Sequence, residues 1–506
     1  MTYEPGTAVS TSVPFPILGW NTKDPLDQME PGYAVSMDNI FPEERNGSLW
    51  GGSESYVTSG IGTDGVKTLT AHVKSDGTEV FMACANGNIY DISTSTASSL
   101  GSGFTNNAWQ VVHLAGKTLF YNGDDQPQQF NGSALSNATY TGSGLTDNDF
   151  IQGTGYRGKL YLVPKNSTSF WYNSTIGGIV GAMTEYPLTG YLTRGGYLMF
   201  VTTWTRDQGA ITSELFVAVS SEGEVLIFTG SSPDLDGFTL IGHIYLAKPL
   251  SRRSYVNYRS EVEIITQEGV VPLSAAVSAA LVPGQQNTLT DKISPTFNEA
   301  AFSYATFFGW EAVIHPRGKR IYYNIPIVDG SQSHQYVRNS LTGAWCRRKG
   351  WNAASWGIYN DELYFGTWDG QVVKADSGDD DRSSDIEYDL QYSYNYLGDE
   401  RRVKHFKKVK PIIISNATLQ MGIEINTDFE TKPVTNIVTV IGPVGAEWDV
   451  SSWDTADWGD PDVYVADWYD VDGIGRSGSI HMAGQVQGAT FSISATHIIF
   501  DVGGFL

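Results

Sequence analysis

The sequence predicts an all-β protein: a β-propeller-like body of multiple short-stranded blades, carrying a short helical insertion, followed by a C-terminal β domain. Composition is the first reason. The 506 residues include 55 glycines and are 12% aromatic and only 17% charged, which suits strands joined by tight turns better than helices with charged faces. The second is a recurring unit: a short strand, a Gly- or Asp-containing turn, and a second strand ending in an aromatic. Units begin at Val80, Thr118, Lys159, Leu215, Val262, Ile321 and Leu363, so successive starts lie 38 to 59 residues apart, near the ~40–50 residues of a propeller blade. Turn chemistry is the third. Pairs such as Asn86-Gly87, Glu222-Gly223 and Asp369-Gly370 supply the positive φ that two-residue hairpins require.

Residues 1–60 are expected to form an N-terminal arm with the first strands. The opening residues have no basic stretch leading into an apolar run, so a protein kept inside the cell that makes it is expected. Residues 61–400 make up the propeller-like body. Within it, Ser294-Pro295 followed by helix-tolerant residues predicts a helix near 294–304, with Ser294 as N-cap and Pro295 at the first position. Phe297, Ala301 and Tyr304 then share its buried face. The stretch Ser377–Asp385 is read as a solvated acidic loop; it lacks the Gly and terminal Glu of a calcium-binding turn.

Residues 401–506 form the C-terminal β domain. It opens on Arg401, Arg402, Lys404, Lys407, Lys408 and Lys410, six of the 32 basic residues in ten positions. Further on, Trp448, Trp453 and Trp458 stand five residues apart among aspartates, with Trp468 after them. Each large ring alternates with a charge that must stay wet or paired. One reading is a set of anchors tucking a long loop onto the β core. The others are a subunit interface, where Trp is enriched, and a sugar-stacking surface. The basic stripe would complement such acids on a neighbouring chain, or would serve as a solvated strand edge that discourages aggregation.

Several function classes are excluded or disfavoured. With 32 Lys+Arg against 55 Asp+Glu the formal charge is −23, which repels phosphate and argues against a protein that grips nucleic acid for affinity. Cys84 and Cys346 are too few for a disulfide framework and lack metal-ligand spacing. No apolar run reaches the ~18 residues of a membrane span. The eight histidines form no HExxH or HxH pair, and phosphate-loop, nucleophile-elbow and dinucleotide fingerprints are missing. No enzyme activity, metal or cofactor is expected.

Short motifs spread along the chain point further. Pro14-Phe15-Pro16 leads to Gly19-Trp20-Asn21, and Met37-Asp38-Asn39-Ile40-Phe41-Pro42 is followed by Gly51-Gly52. Later come Val219 to Gly230, with Gly242 and Arg253 downstream, and Val337-Arg338-Asn339 with Thr342-Gly343 and Trp345. In these motifs, with Asn39, Phe41, Pro42, Asn339, Gly343 and Trp345 foremost, the chain resembles the tail nozzle, or tail-hub, proteins of short-tailed (podovirus-type) bacteriophages. It departs from their pattern at Trp50, where an Arg commonly precedes the Gly. The resemblance implies a structural virion protein: a hexameric ring at the distal end of the tail, attached to an adaptor ring above and to fibres, a spike or a needle below. Double-stranded DNA would be retained behind it and ejected through it without tight binding. An acidic wall suits such passage, since a basic one would stall a polyanion. The alternative is a carbohydrate-binding or glycoside-cleaving propeller acting in host-surface recognition.

Overall fold

A computed structural model describes residues 8–207, 212–281, 288–441 and 463–505. These residues are all-β apart from two short helices, α1 (Leu273–Leu281) and α2 (Ser294–Ser303). Seven blades of three or four antiparallel strands succeed one another along residues 53–375; six are sheets of their own, and blade 6 is one end of a ten-stranded sheet that continues through Gly19–Trp20 and Tyr33–Asp38. Blades 1 to 4 open on Thr68–Val73, Gln110–Leu114, Phe150–Tyr156 and Leu198–Asp207. Blades 5 to 7 open on Tyr255–Tyr258, Glu311–Ile314 and Ala353–Tyr359. These first strands face their neighbours around an axis, from blade 1 through blade 4 and from blade 5 through blade 7 back to blade 1; blade 4 meets blade 5 at Glu261–Thr266. The outermost strand of blade 7 comes from far upstream: Ser53–Val57 pairs with Val372–Ala375 and closes the propeller-like ring.

Every unit read from the sequence opens on the second strand of one blade, from Glu79–Ala85 in blade 1 to Glu362–Thr367 in blade 7. These strands are apolar on both faces because a neighbouring blade covers each face; Val80 to Ala85 are all buried. Separate apolar clusters fill the gaps between blades. Phe81 and Tyr359 stack in the gap between blades 1 and 7, with ring centroids 4.8 Å apart. Trp109 and Phe120 sit between blades 1 and 2, and Tyr161 and Phe216 between blades 3 and 4. The hairpin at Asn86-Gly87 has φ of 50° and 68°, the two positive values expected. Ala115-Gly116, Arg157-Gly158 and Asn360-Asp361 make the same turn without the Asn-Gly or Asp-Gly signature.

Helix α2 lies where predicted, with Phe297 and Ala301 fully buried and Tyr304 half-buried just beyond it. Its cap differs: Ser294 is already helical, Ile293 precedes it, and the Ser294 hydroxyl donates back to Asp291 O at 2.8 Å. A single turn of 3-10 helix, Asp291–Ile293, leads in and displaces the cap.

The remaining strands form a two-sheet β sandwich, and they redraw the expected boundaries at 60 and 401. In one sheet Arg402–Ser415 pairs with Phe491–Phe505, which also carries Ala8–Pro14 and Gly47–Leu49. In the other, Tyr33–Asp38, Ile386–Tyr392, Gly478–Val486, Leu419–Thr427 and Ile437–Val440 lie side by side. The described part of the expected arm, residues 8–60, is therefore not separate: its strands up to Leu49 belong to the C-terminal sandwich, and the next closes blade 7. The sandwich also takes in Ile386–Tyr392, ahead of the expected start at 401. The cause is pairing: Ala8–Pro14 lies against Phe491–Phe505, and Ile386–Tyr392 is held between Tyr33–Asp38 and Gly478–Val486. One continuous core runs from blades 5 to 7 into the sandwich, including Trp310, Trp351, Phe41, Tyr388 and Phe491.

Candidate functional site at the junction of the two bodies

Six residues singled out by sequence resemblance, three near residue 40 and three near 340, meet where blade 6 joins the sandwich. Asn39 has φ 56°, a left-handed conformation that Asn tolerates. Its amide donates to Glu387 O on the sandwich at 2.6 Å and to Lys349 O on the propeller side at 3.3 Å, while its Oδ1 accepts from Lys349 N at 2.8 Å. Asn339, fully buried, folds the turn after blade 6's third strand by accepting from Leu341 N at 2.9 Å and Thr342 N at 3.3 Å. Gly343 completes that turn at φ 79°. The Asn339 amide then reaches across to Pro42 O at 2.9 Å. Trp345 donates its ring N–H to Leu289 O at 2.8 Å. Its backbone presses on Gly19, where a Cβ would stand 2.5 Å from Trp345 O at φ +85°.

Charge reinforces the seam. Arg347 grips Asp38 with two parallel bonds of 2.7 and 2.8 Å, the strong fork geometry, and Lys349 joins the same carboxylate. Phe41 meets Trp50 edge-on at 5.3 Å. Trp50, the departure from the resemblance, is fully buried, yet a cation does stand there: the Arg320 guanidinium lies 4.5 Å over Phe41 and 5.0 Å over Trp50. Sequence reasoning missed Arg320 and Arg347, and carried Asp38 only as a motif member without a role. The one signal for Arg347 was adjacency, since it lies two residues past Trp345.

Four of the six basic residues of the stripe are partnered within the chain. Lys404, expected at an interface, is almost wholly buried, and its ammonium donates to Asp399 O at 2.5 Å, Arg476 O at 2.8 Å and Arg402 O at 3.3 Å. Burial holds its pKa below the usual lysine range. Lys408 pairs with Asp470 at 2.8 Å, Lys407 with Asp501, and Arg402 with Asp399 at 3.4 Å. Arg401 is exposed, and its backbone N–H bonds Asp399 at 2.9 Å. Trp468 is 38% exposed with the Lys410 ammonium 5.7 Å from its ring. Trp448, Trp453 and Trp458 lie outside the described residues. The acidic loop is not wholly solvated either: Asp381 accepts from Arg348 and Trp351 Nε1 at 2.7 and 2.9 Å and from Ser53 Oγ at 3.0 Å.

One cluster resembles catalytic machinery in composition only. Asp389 stands between Ser36 and His481, accepting from Ser36 Oγ and lying 3.1 Å from His481 Nε2. A nucleophilic serine needs the imidazole next to it and the carboxylate behind, so this order orients His481 without activating Ser36. Burial disfavours the Asp389 charge, but hydrogen bonds from His481 and Ser36 hold its carboxyl below the usual range. Among the described residues no group of three His, Cys, Asp or Glu is placed to hold a metal, and no helix is long and apolar enough to cross a membrane.

No family model and no curated protein matches the chain. Among solved structures it is similar to Raptor from Chaetomium thermophilum (12% identity, TM-score 0.40, 64% of this chain and 29% of that one). It is likewise similar to the extracellular domain of BT4673 from B. thetaiotaomicron (9%, 0.41, 84% and 60%) and to BBS1N in complex with ARL6DN (9%, 0.41, 65% and 97%). The chain thus spans less than two thirds of the first two.

Proposed function

We propose that the protein is a structural subunit that assembles into a ring, the terminal DNA conduit of a short-tailed phage, with the sandwich making subunit contacts. The observation that carries this reading is a set of exposed apolar side chains on one region of the sandwich. Ile437 (59% exposed), Ile441 (61%) and Trp468 flank the Trp- and Asp-rich stretch, and Ile474 (65%) follows on the neighbouring strand Tyr469–Gly475. The two edges lie together: Asn436 donates to Asp470 O at 2.9 Å and Tyr469 OH to Thr439 O at 3.4 Å. Exposed apolar side chains on neighbouring strands are what an interaction site would present. Supporting it is the junction, whose hydrogen bonds tie propeller to sandwich as a subunit of a rigid ring would need. Duplex DNA would pass between subunits, because Arg253 crosses the propeller's own axis to reach blades 1 and 2. Net charge −23 suits passage without adhesion.

Native mass spectrometry and electron microscopy of the purified chain test the reading. A closed oligomer with a central opening is expected, and Ile437→Asp with Ile474→Asp should yield folded monomers. A wild-type chain that stays monomeric at about 100 μM, well above the dissociation constants of stable assemblies, would overturn it.

A further inference from the structure

At one end of the propeller axis the leading ends of several first strands surround a cavity of about 540 Å³, within the range of small-molecule sites. Its walls include Gln110, Tyr197, Arg252, Thr306, Phe307 and Phe308, with Glu311 and Arg253 beside them. Arg253 is committed to structure: it donates to Lys67 O at 2.9 Å, Thr68 Oγ1 at 2.8 Å and Trp109 O at 2.7 Å, and pairs with Glu311 at 3.4 Å. Asn106 and Asn122, also in the wall, are spent on their own turns and on Asp124 and Asp125.

Arg252 is different. Among the described residues only its Nη1 finds acceptors, Leu198 O at 3.2 Å and Met199 O, and no carboxylate comes within 4 Å of the guanidinium. Tyr197 lies beneath it at 5.4 Å. Burial without a counter-charge pushes its pKa down to about 10, so it remains a cation at neutral pH. Just outside the wall, the Lys67 ammonium lies 5.7 Å from the Phe308 ring. Among the described residues the cavity wall thus holds two cations, Arg252 and Arg253, and one carboxylate, Glu311, which Arg253 engages, so the Arg252 charge is left uncompensated. The Gln110 amide and Thr306 hydroxyl make no side-chain hydrogen bond among the described residues.

We propose that this cavity binds a hydroxylated organic monocarboxylate of sugar-acid size, its acid group forked by Arg252 and its ring laid against Phe307. The guanidinium fork matches a carboxylate bidentately. Gln110 and Thr306 are placed to read hydroxyls, and the aromatic wall takes the less polar face of the ring. Glu311, with Asp124 and Asp125 behind Asn106 and Asn122, disfavours a dianion such as phosphate. This site is independent of the ring assembly proposed above.

Isothermal titration of the full chain with D-glucuronate, glucose and inorganic phosphate tests it. Glucuronate is expected to bind, and glucose and phosphate to bind at least about tenfold more weakly, one factor of ten being ~1.4 kcal/mol. Arg252→Gln should weaken glucuronate by a similar factor, and Arg157→Gln, on the distant surface of blade 3, should not. Should Arg252→Gln fail to fold, Phe307→Ala replaces it with the same expectation. The proposal is overturned by no glucuronate binding up to about 10 mM, by equal binding of phosphate or glucose, or by binding indifferent to Arg252 and Phe307.

Discussion

Replacing Asn339 by Ala tests whether the junction is a structural lock. Asn339 is fully buried and makes three side-chain hydrogen bonds, one of them, to Pro42 O, crossing between blade 6 and the residues that enter the sandwich. Leu341 and Thr342 are exposed, so water can solvate their freed N–H groups. Pro42 is buried, and its carbonyl would be left unsatisfied. A buried orphan costs ~1–3 kcal/mol and each lost turn bond ~0.5–1.5 kcal/mol less what water returns, so a loss of about 2–4 kcal/mol is expected. Urea unfolding followed by Trp fluorescence reads it, with the slope checked for constancy. Asn339→Asp sharpens the test. It keeps both acceptor bonds of the turn but turns an oxygen toward Pro42 O, so it should be at least as damaging as Ala. An Asp variant of wild-type stability, or an Ala variant within about 0.5 kcal/mol of it, would refute the lock.

Other outcomes follow from the same geometry. Gly19→Ala forces a Cβ to 2.5 Å from Trp345 O in a left-handed backbone and should cost more than about 3 kcal/mol, seen as loss of soluble protein; normal yield would contradict the close approach. Asp381→Ala strands the fully buried Arg348, whose guanidinium burial already pushes downward in pKa despite the pairing. It should lose about 3–5 kcal/mol in the same urea assay. Burial lowers the pKa of His72, His113 and His315, and takes His334 down to about 4 from 6.5. The unfolded chain then binds more protons between about pH 4 and 6.5, so stability rises with pH across that window. Scanning calorimetry should show Tm climbing from pH 5 to 7, with a shallower climb in His334→Gln.

Much of the propeller-like body could be read from the sequence because its period is chemical. Each blade's second strand is an unbroken apolar run followed by a turn, and those runs stood out at all seven sites from Val80 to Leu363. The body's closure was not legible. Nothing in Ser53-Glu54-Ser55-Tyr56-Val57 says that its partner is Val372–Ala375, because strand pairing over 300 residues leaves no local trace. The acidic loop misled for a related reason: Asp381 looks like its solvated neighbours until Arg348 arrives from another blade. Lys404 misled likewise, since three backbone carbonyls that accept its ammonium are invisible in a list of side chains. The junction was half legible. Asn39 and Asn339 stood out as motif members, yet only the folded chain brings them to opposite sides of one seam.

The two long-range pairings, Ser53–Val57 with blade 7 and Ala8–Pro14 with Phe491–Phe505, set a timetable for biosynthesis. A ribosome adding roughly 5–20 residues per second exposes the early strands for tens of seconds before either partner emerges. Throughout that delay their open edges are templates for other nascent chains. Yield in a producing cell should therefore follow chaperone supply and translation pace more closely than the equilibrium strength of the finished fold.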